Sequence, residues 1–535
     1  MNPPVSLFMW IMASLPIAIL LLLMLRFQWG AAKAAPIGLF VAISVAIISY
    51  RANWHMIALE GAKGIWNAFT ILIIIWPAIL IYEVTDEAKA FEVFRKGMQA
   101  FTANELLQIL SIGWVFVSFL QGITGFGVPI AIGAPLLIGI GVRPIWAVII
   151  PLLGHAWAGT FGTLAVAWQS LMLQTGFVGT TMANNIAIWA TGLIWLINFI
   201  AGAAICWFYG GGKGLRRGLP AVIFISIIHG GGQMILSQFN QTLAAFLSTC
   251  IALGMVSLIG RSKLYRERWA IENSDMMDRR IRDRGIEEHS DITFHEAFLP
   301  YYALTGITLL ILLVAPLNRI LGSWRIGFAF PMTATGYGII NPSTDLYLPL
   351  SPLTHAGTFL LIAGLLGYYY FYRRGYIGEG GGRRIGVRII RKTAPSTIAI
   401  VGLLMMSRIM SSTGQTAVLA AGTAKVFGKY YSALSPFIGL LGTFVTSSNM
   451  SSNILFGEFQ QTTARILELN EAAILGAQTA GGAIGNLIAP GSTILGATTA
   501  GILGQEGSVL RKTLPIALGI TSICSIIVFL ILIVA

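Results

Sequence analysis

Polar, helix-breaking sequence recurs twice inside apolar segments, and nothing else limits the fold of this chain so strongly. In FLQGITGFGVPIAIGAP (Phe119 to Pro135), four glycines and two prolines interrupt an apolar region. In GTFVTSSNMSSNILFGEFQ (Gly442 to Gln460), the run Thr446, Ser447, Ser448, Asn449, Ser451, Ser452 and Asn453 stands where lipid-facing residues belong. The surroundings are membrane-like. Runs such as Gly192 to Tyr209 and Ile516 to Ala535 approach the roughly 20 residues that cross a hydrocarbon core. Charged residues make up only 10% of the chain, too few for a solvated surface. Spans of this kind are helices, because no water in the core can satisfy an open backbone. The first run, from Leu7, lacks a preceding basic residue and a cleavage pattern, so it reads as a retained span.

Reading the apolar runs against their punctuation predicts an all-α polytopic membrane protein with about 12–14 transmembrane helices. An N-terminal half over 1–260 would hold a hairpin near 106–142, and a C-terminal half over 298–535 would hold one near 434–460. A charged linker over 261–297 would join them, with the stretch 219–259 broken at Gly230-Gly231-Gly232. The net charge of +13 is concentrated: 15 of the 34 Lys and Arg lie in Arg261 to Asp291 and Arg373 to Lys392. The positive-inside rule puts both stretches, read as loops, in the cytoplasm. Aromatic residues do not alternate with these charges, which excludes a nucleic-acid groove. Cys206, Cys250 and Cys524 sit far apart in apolar segments and imply packing, not disulfide, zinc or redox chemistry.

A shift of 323 residues lays one interrupted segment over the other without a gap and brings Gly159, Gly162 and Leu164 onto Gly482, Gly485 and Leu487. Paired breaks of this sort mark internal repeats around a site near the bilayer midplane. Broken backbone at that depth is tolerated only where it is buried in protein or lines a watery cavity. Glycines at 122, 125 and 127 allow tight turns, and half-helix N-termini favour an anion. The Ser/Asn cluster adds groups that can bind a carboxylate, a hydroxyl or a desolvated cation.

These two segments, with GGAIGNLIAPGSTI (Gly481 to Ile494) and the order of spans, resemble the bacterial L-lactate permease family, placed in the ion transporter superfamily. The resemblance covers nearly the whole chain. It implies two inverted repeats with re-entrant or broken hairpins, and transport of lactate and glycolate with protons. The family typically carries Glu, Asp and Lys where this chain has Gln121, Asn449 and Asn486. Amides at Gln121 and Asn449 cannot carry a proton, so a coupling proton would have to be taken by another ionisable group.

The expected substrate-binding residues are Gln121, Thr124, Gly125, Gly127, His155, Arg408, Ser447, Ser448, Asn449, Ser452, Asn453 and Asn486. Arg408, a charge inside GLLMMSRIMSS, is a default functional candidate because charges are expensive at depth. A guanidinium would bind a carboxylate bidentately; the alternatives are an interfacial position or a pairing with an acid such as Glu83. Glu458 and His155 are the proton-coupling candidates, and Ser447, Asn449 and Ser451 the alternative for Na⁺. Motifs for nucleotide binding, metal ligation or a nucleophile elbow are absent, so neither an enzyme nor an ATP-driven pump is expected, and no cofactor. The chain reads as a secondary carrier of a small organic anion in the bacterial inner membrane. Sulfonate, dicarboxylate, inorganic anion or neutral solute, an anion channel, a non-transporting sensor and a homodimeric assembly stay open.

Overall fold

The computed structural model describes residues 5–91, 93–94, 97, 102–280 and 292–534. Helices dominate: α1 Leu7–Leu25, α2 Ala31–Ile48, α3 Trp54–Glu87, α4 Glu105–Ile123, α5 Val128–Gly139, α6 Pro144–Ala156, α7 Gly162–Thr175, α8 Thr181–Phe239 and α9 Gln241–Arg261. After the linker come α10 Leu299–Leu313, α11 Ala315–Gly322, α12 Ala356–Arg373, α13 Gly381–Thr413, α14 Gln415–Phe427, α15 Tyr431–Thr446, α16 Asn449–Ile466, α17 Glu471–Gly485, α18 Pro490–Thr499 and α19 Glu506–Val534. Two short antiparallel ribbons lie between α11 and α12: β1 Ile326–Phe330 with β4 Thr344–Leu350, and β2 Thr333–Ala334 with β3 Ile340–Asn341.

With α17 and α18 taken as one run, nine helical runs are long and apolar enough to cross a membrane among the described residues, or eleven if two bent pairs count as spans. The run α8 supplies two crossings, because Gly210 and Gly211 leave the helical region (φ −165°, ψ 31° and φ 55°, ψ −138°). A side chain at Gly211 would meet the steric barrier that confines such a dihedral pair to glycine. Counting α12 as well, and two hairpins that enter and leave on one side, the architecture falls in the expected range.

Hydrogen bonds across the breaks identify the hairpins. In the second, Ser452 Oγ donates to the Gly439 carbonyl (2.9 Å) and Gln460 Nε2 to the Ser435 carbonyl (3.1 Å), so α15 and α16 run antiparallel about Ser447-Ser448. In the first, α5 folds back along α4 from a tip at 124–127, with Gly133 against Val117. Shifted by 323 residues, the starts of α2, α3, α4, α5, α6, α7 and α8 fall within five residues of the starts of α12, α13, α15, α16, α17, α18 and α19. Alternating the crossings gives α2 and α12 opposite directions, so the repeats are inverted. The side bearing Lys33, Arg143, Lys213, Arg216, Arg217, Arg374 and Lys512 also holds the linker, and the positive-inside rule makes it cytoplasmic.

Three expectations about boundaries change. The glycine triplet at 230–232 does not break the chain: Gly230 and Gly231 lie in a π-helical turn, Ile227–Gly231, against Trp195, Gly232 continues the helix beside Ser248, and the turn falls at Asn240. Small residues here let a large indole approach the backbone. The basic stretch 373–392 is mostly helix, not loop, since α13 starts at Gly381 and its arginines reach acids on α3. Finally, the described part of the linker is packed against the membrane part and not a free loop. Trp269 accepts from Glu105 N (3.1 Å), Met276 from Arg143 N (2.9 Å), and Arg279 pairs with Glu105 (2.6 Å), all at the base of the first hairpin. At its end, the Thr293 N–H and hydroxyl and the Tyr370 and Tyr376 hydroxyls hold the Glu296 carboxyl down to about 2. Linker residues 281–291 lie outside the described residues.

The sidedness is checkable by cysteine labelling. A cysteine at Asp345, in β4, should react with an impermeant maleimide in intact cells, and one at Gly378 only after permeabilisation; the reverse pattern would invert the topology.

Candidate functional site

Both hairpin tips and both broken helices converge on one cavity of about 690 Å³. Gln121, Phe126, Gly127 and Val128 line it from the first hairpin, and Thr446, Ser447, Ser448, Asn449 and Ser451 from the second. His155, Gly159, Gly162 and Thr163 come from the α6–α7 break, and Asn486, Gly491 and Ser492 from the α17–α18 break. The far wall is built by Gly30 to Ala32, Tyr82 and Lys392 to Ile400, which belong to the cytoplasmic ends of α2, α3 and α13. The cavity therefore opens toward the cytoplasm.

The backbone around it is strained. Gly125, Phe126 and Gly127 all have positive φ (57°, 49° and 82°), and so do Thr163, Leu164 and Ala165 (52°, 50° and 65°). Left-handed backbone at a residue with a Cβ is unfavourable by about 1–2 kcal/mol. Such strain persists only where neighbours over-determine it, and it gathers at functional sites. Here those neighbours are polar side chains that bridge the repeats. Asn449 Nδ2 donates to Thr160 Oγ1 (3.1 Å) and the Thr479 carbonyl (3.2 Å). Asn453 Nδ2 donates to the Ala167 carbonyl and to Thr479 Oγ1, both at 3.0 Å. Ser447 Oγ, on a residue with φ 56°, accepts from Gly491 N (3.0 Å) and ties the second tip to the start of α18.

With their nitrogens so held, the Oδ1 atoms of Asn449 and Asn453 are buried without a protein donor. An orphaned buried acceptor is unfavourable by about 1–3 kcal/mol and awaits a water, an ion or a ligand donor. His155 Nδ1 lies 2.5 Å from the Pro151 carbonyl and so must donate to it, which leaves Nε2 as the ring acceptor.

Of the expected residues, Gln121, Gly127, His155, Ser447, Ser448, Asn449, Ser451 and Asn486 line the cavity. Others stand behind it. Thr124 Oγ1 bonds the Leu120 carbonyl (2.9 Å), Gly125 abuts Thr163 and Gln121, and Ser452 and Asn453 bond within and between hairpin elements. Arg408 and Glu458 lie elsewhere, in a cluster toward the outer side. Arg408 Nε donates to Glu60 Oε2 (2.8 Å), Glu60 also holds Lys63 (2.7 Å), and Tyr347 of β4 lies under both cations, at 5.9 and 5.6 Å. Glu458 accepts from Ser411 Oγ of α13. The pairing of Arg408 with Glu83 does not occur: Glu83 instead meets Arg388 and Lys392, each at 2.5 Å. Sequence reasoning missed Lys392, which looked like one more cytoplasmic charge. Trp157 and His229 stack on each other (4.7 Å) away from the lining, as packing residues do.

The model of the family described as L-lactate permease matches residues 9–535. The L-lactate permease of Halalkalibacterium halodurans is 24% identical over 521 residues, covering 96% of this chain and 95% of the relative. Glycolate permease GlcA of Escherichia coli (strain K12) is 26% identical, covering 93% of this chain and 91% of the relative, and the L-lactate permease of the same strain is 25% identical, covering 97% and 94%. Among solved structures, the Alcanivorax borkumensis YdaH transporter aligns with a TM-score of 0.41 at 14% identity, covering 86% of this chain and 84% of that one.

Two outcomes test the geometry. A Cβ on Gly482 would run into Asn449 Oδ1, so Gly482→Ala should lower transport at least tenfold while insertion stays normal, read by vesicle uptake and membrane immunoblot. Arg408→Met should destabilise the protein by about 1–3 kcal/mol through the loss of one partner of Glu60. Its substrate affinity should stay within twofold in a binding assay; loss of affinity at an unchanged melting temperature would return Arg408 to the binding site.

Proposed function

Since this chain belongs to the L-lactate permease family, a family of multi-pass inner-membrane carriers, we propose that it moves a 2-hydroxymonocarboxylate such as L-lactate or glycolate across the bacterial inner membrane. The observation that carries this reading is the single cavity where both polar breaks meet. Amides, hydroxyls and one imidazole ring line its inner end, with the starts of α5 at Val128 and α18 at Pro490 beside them. That set suits a small anion bearing a hydroxyl: helix N-termini favour negative charge, Gln121 and Asn486 can each both donate and accept, and Asn449, its nitrogen engaged, accepts through Oδ1. Thr446, Ser447 and Ser448 supply further hydroxyls or backbone groups at the second tip. The chain divides into membrane halves at 1–260 and 298–535 joined by the linker 261–297, and the constant 323-residue spacing of elements supports this division.

The coupling ion in this reading is a proton taken by Glu458. Its carboxylate sits at a contact between α16 of the second hairpin and α13, bonded to Ser411 and within electrostatic reach of Arg408. Protonation there would change the charge balance of a contact between two packed elements, which none of the neutral residues at 121, 449 and 486 can do. His155 contributes a hydrogen bond to the substrate through Nε2. The alternative is Na⁺ held by Ser447, Asn449 and Ser451, favoured by the orphaned Asn449 Oδ1.

Uptake by purified protein in proteoliposomes decides between these. L-lactate and glycolate should accumulate with an imposed pH gradient, acidic outside, and not respond to replacing Na⁺ with K⁺. Glu458→Gln should abolish accumulation yet keep lactate counterflow. Accumulation that needs Na⁺ and survives Glu458→Gln would move the coupling site to the hairpin oxygens, and absence of any hydroxycarboxylate flux would reject the substrate class.

A further inference from the structure

The cavity has a built counter-charge. Among its described lining residues only Lys392 carries a charged side chain, and that side chain is 43% exposed. It is the last member of a chain of alternating charges that runs along the cytoplasmic ends of α3 and α13. Arg384 Nη2 holds Glu87 Oε1 (2.6 Å), Arg388 Nη2 holds Glu87 Oε2 (2.5 Å), Arg388 Nε holds Glu83 Oε2 (2.5 Å), and Lys392 Nζ holds Glu83 Oε1 (2.5 Å). Glu83 is fully buried and already has a guanidinium on its other oxygen. Lys392 is thus a second cation on one carboxylate, poised with its ammonium 4.2 Å from the centroid of the Tyr82 ring. Tyr82 lines the cavity beside it. Asp86 shares this end of α3.

An ammonium has three donors and no directional fork, so one can stay on Glu83 while others face a passing anion. An anion entering the cavity leaves bulk water, and a fixed cation in a partly desolvated wall offsets that loss far better than neutral amides do. We propose that Lys392 is the substrate-carboxylate residue of the cytoplasm-facing cavity, held in position by Glu83 and Tyr82, with Glu83 competing for it when the cavity is empty. This rests on the anion-carrier reading above and adds the residue that selects for charge.

The test compares L-lactate with its neutral isostere lactamide, using full-length protein in detergent and calorimetric or fluorescence titration. Lys392→Gln should weaken L-lactate at least tenfold and leave lactamide within twofold, erasing the preference for the anion. Lys392→Arg should keep the preference, and Glu83→Gln, which frees the ammonium, should tighten L-lactate several-fold. L-lactate affinity within twofold of wild type in Lys392→Gln overturns the assignment while leaving the carrier reading intact. Wild-type protein that binds neither L-lactate nor glycolate overturns both. Should Lys392→Gln fail to fold, the Glu83→Gln titration carries the test, and unchanged L-lactate affinity there also overturns it.

Discussion

Every backbone amide that a broken helix exposes at bilayer depth must find a partner inside the protein, and the rest of this structure follows from that requirement. Lipid offers no donor or acceptor, so the tips at 124–127 and 447–448 can exist only when packed against something polar. The second repeat supplies donors to the broken backbone of the first. Asn449 and Asn453 of the second hairpin bond Thr160 and Ala167 of the first repeat as well as Thr479 of their own, and the left-handed turn at Thr163 to Ala165 is held between them. The cavity is the volume left where these repairs do not fill space.

Charge is handled by the same logic on the opposite wall. The long helices α3 and α13 carry acids and bases that would be prohibitive in lipid, and they are placed face to face. Toward the cytoplasm Glu83 and Glu87 meet Arg384, Arg388 and Lys392; toward the outside Glu60 meets Lys63 and Arg408 under the aromatic cover of Tyr347. A buried pair of this kind contributes little net stability, but it fixes which helix faces which. One consequence is that a neutral, strained binding end and a charged wall share a single hollow, as selective recognition of a small anion requires.

Much of this was legible from residues in order. The glycine-rich run from Gly122 to Gly127 and the Ser/Asn run from Ser447 to Asn453 are incompatible with lipid wherever they sit, and the 323-residue offset between them already implied that they meet. Arg408 shows the limit. A charge in an apolar segment says that a partner exists, but Glu60 is 348 residues away and nothing local marks it as the partner. The triplet Gly230 to Gly232 misled for a similar reason: glycine permits a break and equally permits close packing, and only the presence of Trp195 decides which.

By itself the sequence determined the solvent, the helical class and the two places at which the backbone breaks, because hydropathy and helix-breaking chemistry act over neighbouring residues. Only the tertiary structure decided which polar groups answer one another. It put Lys392 on the cavity wall and took Arg408 and Glu458 out of it, since a charge is satisfied through space by whichever side chain the packing of distant helices brings within about 3 Å.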